Sequence, residues 1–137
     1  MTIGKARAIL LYIFIFFFLF IILLIIIPYI KGDYGGDSLI NLIIKVLVVY
    51  SIHFGVIAGG IFGQEISDRR LSSLVPFKLA LVMVLIWNIL LTWRCIVFTF
   101  IETDTTDKEL ANYIDTIAPA SSFLVSGALA YFFASQR

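Results

Sequence analysis

The sequence predicts an all-α membrane protein, a bundle of four transmembrane helices with both termini cytoplasmic. Three observations carry this. First, 61% of the 137 residues are hydrophobic and 14% charged, whereas soluble domains run at about 45–50% apolar and about 25% charged. With a mean hydropathy of +1.07, polar side chains are too few to cover the apolar groups in water, and the chain needs lipid as its solvent. Second, the apolar residues fall into four stretches, each near the roughly 20 residues that cross a bilayer core of about 30 Å. Third, Lys and Arg gather on alternate connections, which sets an orientation. The chain therefore reads as a single domain over residues 1–137, with spans at about 8–30, 39–62, 74–101 and 113–134.

The first span, Ala8 to Ile30, exceeds the roughly 7–15-residue apolar region of a signal peptide, and no small-residue cleavage site follows it. It is expected to remain as an anchor. Phe14, Phe16, Phe17, Phe18 and Phe20 stand among Ile and Leu. Bulky side chains all round suit an outer helix facing lipid. In the second span Ser51, Gly55, Gly59 and Gly63 recur every four residues. Such spacing puts small side chains in one strip, along which two backbones can approach closely.

The third span, Leu74 to Ile101, places Asn88, Thr92, Cys95, Thr99 and Glu102 within roughly 80° of one another at 100° per residue. That polar stripe either bonds a neighbouring helix or lines a wet path. Thr106-Asp107-Lys108-Glu109 has the form of a capping box, so a helix is predicted to start there. Pro119 is expected to kink it, giving one continuous helix that enters lipid near Tyr113. Ala118, Ser122, Ser126, Ala130 and Ala134 repeat the four-residue spacing of the second span. Spans two and four are accordingly expected to be an inner packing pair or the contact between subunits.

The connections are short and hold no soluble domain. Lys5, Arg7, Arg69, Arg70, Lys78 and Arg137 lie at the end that carries both termini, while Lys31 and Lys108 lie among Asp33, Asp37, Glu102, Asp104, Asp107, Glu109 and Asp115 at the other. By the positive-inside rule the termini are cytoplasmic, in a membrane read as the bacterial inner membrane.

Ionisable groups within spans are functional candidates because each costs at least about 2.5 kcal/mol at the bilayer centre. Lys45 and Arg94 should sit at similar depth, two turns from the outer surface. They either snorkel and pair with Asp33, Asp104 or Asp115, or form a basic ring around an outward-facing cavity. His53 points roughly 140° from the small-residue face of its helix. It is read as a neutral histidine hydrogen-bonded to another span, with a pH sensor as the alternative. Trp87 and Trp93 lie deep enough to fill helix packing, whereas Tyr12, Tyr29, Tyr113 and Tyr131 lie near span ends.

Much chemistry is missing. The net charge of +1 is too small for nucleic-acid binding. Cys95 stands alone, and there is no HExxH, CxxC, glycine-rich phosphate loop or intramembrane Asp pair. Ser51 and His53 are two residues apart, on different helix faces, and make no nucleophile–base pair. No catalytic residue, metal or cofactor is expected. The sequence reads as a non-enzymatic, homo-oligomeric membrane subunit that anchors or regulates a cytoplasmic protein partner, with a charged cytoplasmic loop carrying Arg69 and Arg70. The alternative is a small ion channel or transporter with Lys45, Asn88 and Arg94 on its path.

In size and span number the chain is similar to small multidrug transporters, yet it has no carboxylate in its first span to match theirs. Small fluoride channels share the layout, with Asn88 and Phe98-Thr99-Phe100 as faint counterparts, but their dual topology needs a weaker charge bias. In size, four spans and cytoplasmic termini the chain resembles the small membrane subunit of the bacterial Kiwa antiphage defence system. That resemblance implies a homo-oligomeric membrane sensor holding a cytoplasmic effector, with the acidic outer loops as its sensing surface and the charged inner loop Glu65, Asp68, Arg69 and Arg70 as its docking surface.

Overall fold

The computed structural model describes residues 1–62, 70, 71, 73–101 and 106–135, the side chains of 60–62 excepted. Helices α1 (Ile3–Lys31), α2 (Gly36–Phe62), α3 (Val75–Ile96) and α4 (Asp107–Ala134) account for nearly all of them, and α3 runs on into a π-helical turn, Val97–Ile101. All four helices are long and apolar enough to cross a membrane.

Local chemistry fixes the helix ends. Thr2 caps α1, its Oγ1 accepting from Lys5 N–H at 3.4 Å. At the other end Gly32 adopts φ +86°, a left-handed conformation that a Cβ would disfavour. The Gly32 N–H then reaches Tyr29 O and the Asp33 N–H reaches Pro28 O, both at 3.0 Å. Pro76 in the first turn of α3 lacks the N–H that would go unused there. Thr106 and Glu109 close the expected capping box, with bonds of 3.3 and 3.2 Å. α4 is continuous through Pro119, as the sequence indicates, and spans 28 residues. Behind the proline, Ser121 Oγ donates to Ile117 O and Ser122 Oγ to Pro119 O, each at 2.8 Å.

α1 packs on α2 and α3, and α4 packs on the same two helices. The order around the bundle is thus α1, α2, α4, α3. α2 and α3 face each other across the centre. Leu10, Phe14, Ile21 and Ile25 of α1 meet Leu42, Val46, Tyr50 and Ile57 of α2, and all eight are fully buried. The opposite face of α1 exposes Tyr12, Phe16, Leu19 and Leu23, as a helix surrounded by lipid does.

α1 thus exposes one side, as expected of an outer helix, but its other side is a buried stripe that its uniformly bulky sequence does not announce. The buried share of its most apolar window is 28%, against 33–39% in the other three, so α1 is one of four near-equal staves. The stripe is hidden in the sequence because lipid and protein interior both select bulky apolar residues. For Trp93 the structure corrects the sequence reading. It is 59% exposed while Trp87 is 3% exposed, because six residues turn a helix by about 240°.

One contact ties the two halves at the end that carries the termini. Thr2 and Arg70 form an antiparallel bridge, and Leu71 N–H donates to Met1 O at 3.3 Å. The chain start is thereby held against the segment between α2 and α3.

Candidate functional site

The polar stripe of α3 turns inward. Asn88, Thr92, Cys95 and Thr99 are all buried, and Asn88 meets α2 at the bundle centre. Tyr50 Oη donates to Asn88 Oδ1 at 2.6 Å, and Asn88 Nδ2 donates to Val84 O at 2.8 Å. Trp87 Nε1 donates across to Ala118 O of α4 at 3.1 Å. One cluster on α3 therefore ties α2, α3 and α4 with directed bonds, each strengthened by the lack of competing water.

His53 completes the centre differently from expectation. It is fully buried, but neither ring nitrogen has a hydrogen-bond partner among the described residues. The imidazole instead lies 5.2 Å from the Phe14 ring at a tilt of 31° and 4.7 Å from Trp87 edge-to-face. Tyr50 and Phe54 pack beside it, Tyr50 with its ring 5.3 Å from Trp87. Thr92 Oγ1 is likewise buried without a partner among the described residues. Large rings fill the space between the two facing helices.

The two intramembrane cations meet at one level of α4. Lys45 Nζ forms an ion pair and hydrogen bond with Asp115 Oδ2, one of the partners named from sequence. The Arg94 guanidinium sits 5.9 Å above the Tyr113 ring, a favourable placement over the negative ring face. Tyr113 and Asp115 are two residues apart, about 3 Å in height at 1.5 Å per residue. The equal depth inferred for Lys45 and Arg94 thus has a structural counterpart. Nearby, Ser38 Oγ donates to Asp107 Oδ2 at 2.5 Å. This end of the bundle is cross-tied by polar groups between α2 and α4.

The small-residue strips are placed unequally. On α4, Ala118 and Ser122 are buried, Ser126 is half-buried, and Ala130 and Ala134 are exposed. On α2, Ser51, Gly55 and Gly59 are all exposed, and a Cβ built on Gly55 or Gly59 would meet nothing within 4 Å. α2 and α4 do pack together, but the α2 strip takes no part in it. The expectation of a strip-to-strip inner pair is therefore not met within one chain; contact between subunits is the other half of that reading. Gly63, Glu65, Asp68, Arg69 and Glu102 lie outside the described residues, whereas Arg70 is described and exposed.

Sequence reasoning missed several participants. Arg7, counted only as a topological charge, is 4% exposed with its guanidinium 5.4 Å over the Phe133 ring. Tyr50 and Phe14 gave no signal beyond their three- and four-residue phase with His53 and Leu10. Pro28 did carry a signal: the carbonyl four residues before it loses its helical donor. Among the described residues no group of three or more His, Cys, Asp or Glu is arranged to hold a metal ion. No protein family, curated protein or solved structure matches the chain.

Proposed function

We propose that the protein is a non-catalytic, homo-oligomeric subunit of the bacterial inner membrane. Its copies associate through the α2 strip and hold a cytoplasmic protein partner at the end that carries the termini. The observation that carries this is the outward-facing Ser51–Gly55–Gly59 strip with open space above both glycines. Glycine within a helix costs about 1 kcal/mol relative to alanine, and among the described residues neither glycine meets a neighbour that would need its small size. A second backbone closing on the strip supplies van der Waals contact that lipid tails do not match.

The filled centre supports the same reading over a channel within one subunit. Tyr50, His53, Trp87 and Phe14 occupy the middle of the bundle, and Lys45 is already paired with Asp115. Exposed Lys5, Arg70 and Lys78, with Arg70 bridged to Thr2 at the chain start, offer cationic contacts to an acidic partner surface. The resemblance in size and layout to the Kiwa membrane subunit supports a sensor in antiviral defence as the setting.

Gly59→Ile tests the assembly. Purified in lipid nanodiscs, the native chain should give the mass of an oligomer and Gly59→Ile that of a monomer. A monomeric native chain, or an unchanged oligomer in the variant, overturns the proposal. Arg69→Glu with Arg70→Glu should release a co-purifying soluble partner while leaving the oligomer intact. Ion flux through native protein in liposomes, lost in Asn88→Leu or Arg94→Leu, would support the channel instead.

A further inference from the structure

Pro28 interrupts α1 three residues before its end. A proline has no N–H, so Leu24 O, four residues earlier, has no donor within its own helix. Leu24 is 2% exposed, too buried for water to serve that oxygen. The donor comes from α3. Thr99 Oγ1 lies 3.0 Å from Leu24 O and 2.7 Å from Cys95 O of its own helix. A threonine hydroxyl carries one proton, so Thr99 serves either its own helix or the broken one. The next carbonyl of α1, Ile25 O, accepts from the Tyr34 hydroxyl in the segment between α1 and α2.

Both donors sit at irregular places. Thr99 lies within the π-helical turn Val97–Ile101, and such turns are locally weakened helix that often coincides with functional sites. Tyr34 lies just beyond the left-handed Gly32, with its ring 6.1 Å from Phe98 of the same π-turn. A proline break and a π-turn thus face each other, joined by two hydroxyl donors and a ring contact. No other pair of neighbouring helices has both of its irregular segments at one level among the described residues.

We propose that these segments form a paired hinge. Rotation of the Thr99 hydroxyl, which moves its hydrogen bond from Leu24 O to Cys95 O, releases the end of α1, and movement of the segment around Tyr34 is thereby passed to the end of α3. The device is independent of how many copies assemble. It gives the end of the bundle remote from the termini two hydrogen-bonded arrangements of similar bonding content, the property required of a bistable element.

Hydrogen exchange on the full-length protein in nanodiscs tests it through the coupling of two substitutions. Thr99→Val should speed exchange across Ile25–Lys31 by about five-fold, the worth of one buried hydrogen bond. Pro28→Ala returns an N–H to Leu24 O, so in that background Thr99→Val should change exchange by less than about two-fold. An equal effect in both backgrounds, or none with Pro28 present, overturns the hinge. Should Pro28→Ala fail to fold, Thr99→Ser decides: it keeps the hydroxyl and should exchange like the native chain, while behaviour like Thr99→Val refutes the donor role. Tyr34→Phe should speed exchange in Val97–Ile101 as well as in Ile25–Lys31. Confinement to α1 would refute transmission.

Discussion

Removing the hydrogen bond at the centre of the bundle from both sides at once should cost less than the sum of the two single changes. Tyr50 Oη and Asn88 Oδ1 are 2.6 Å apart in residues with no exposed surface. Interhelical hydrogen bonds in membrane proteins average about 0.6 kcal/mol and reach about 1.7; a short bond with no water nearby belongs at the upper end. Tyr50→Phe removes the donor but leaves Asn88 its bond to Val84 O, at a cost of about 1 kcal/mol. Asn88→Leu strands the tyrosine hydroxyl in an apolar core and should cost about 2 kcal/mol, within the range for an unsatisfied buried donor. The double variant strands nothing between the pair. Its cost should fall about 1–1.5 kcal/mol short of the sum. Reversible unfolding of the four proteins in mixed micelles measures the cycle, and additivity within about 0.3 kcal/mol would refute the bond's place in holding α2 to α3.

Three further outcomes follow from the same geometry. His53→Phe should be neutral or stabilising by up to about 1 kcal/mol in the same unfolding assay, because an aromatic ring is kept and two unpartnered nitrogens are removed; a loss above about 2 kcal/mol would mean that the imidazole has a partner. Asp115→Asn should cost less than about 1 kcal/mol, since the pair is partly exposed, and the swap Lys45→Asp with Asp115→Lys should recover it; a swap no better than the single change would discount the pairing. Burial first, then Asp107 and Asp33 and more weakly Cys95, push the Tyr34 phenol from 10.0 up to about 12. A raised value favours the protonated hydroxyl in the folded state, so this contribution is complete below pH 10 and lost as pH rises from 10.0 to about 12. The stability difference between native protein and Tyr34→Phe should narrow over that interval, and a difference constant with pH would contradict the donor role.

What the sequence disclosed depended on whether a residue's surroundings could be inferred from its own helix. Cap chemistry is local: Thr106 and Glu109 announce the start of α4 three residues apart, and the structure closes both bonds. The four spans are equally local, because length and hydropathy alone define them. The inward face of α1 was illegible, since Phe14 inside and Phe16 outside are the same residue type in two apolar surroundings. Small residues at Gly55 and Gly59 signal room for a backbone but not whose backbone, and the α2 strip turned out to face away from α4. For Lys45 the acidic partners could be named from sequence, and the helix order brings Asp115 to it. For His53 the phase put it inside, yet only the fold shows rings from two other helices rather than a polar partner.

Association through α2 is tested most directly by a disulfide placed on the strip. In a Cys95→Ala background, Ser51→Cys is nearly isosteric and replaces an exposed side chain at the start of that strip. Mild oxidation of membranes carrying this variant should yield a covalent dimer. The same cysteine placed at Tyr12 on the exposed face of α1 should yield none. Ser51→Cys remaining monomeric, or both positions cross-linking alike, would contradict assembly through the α2 strip.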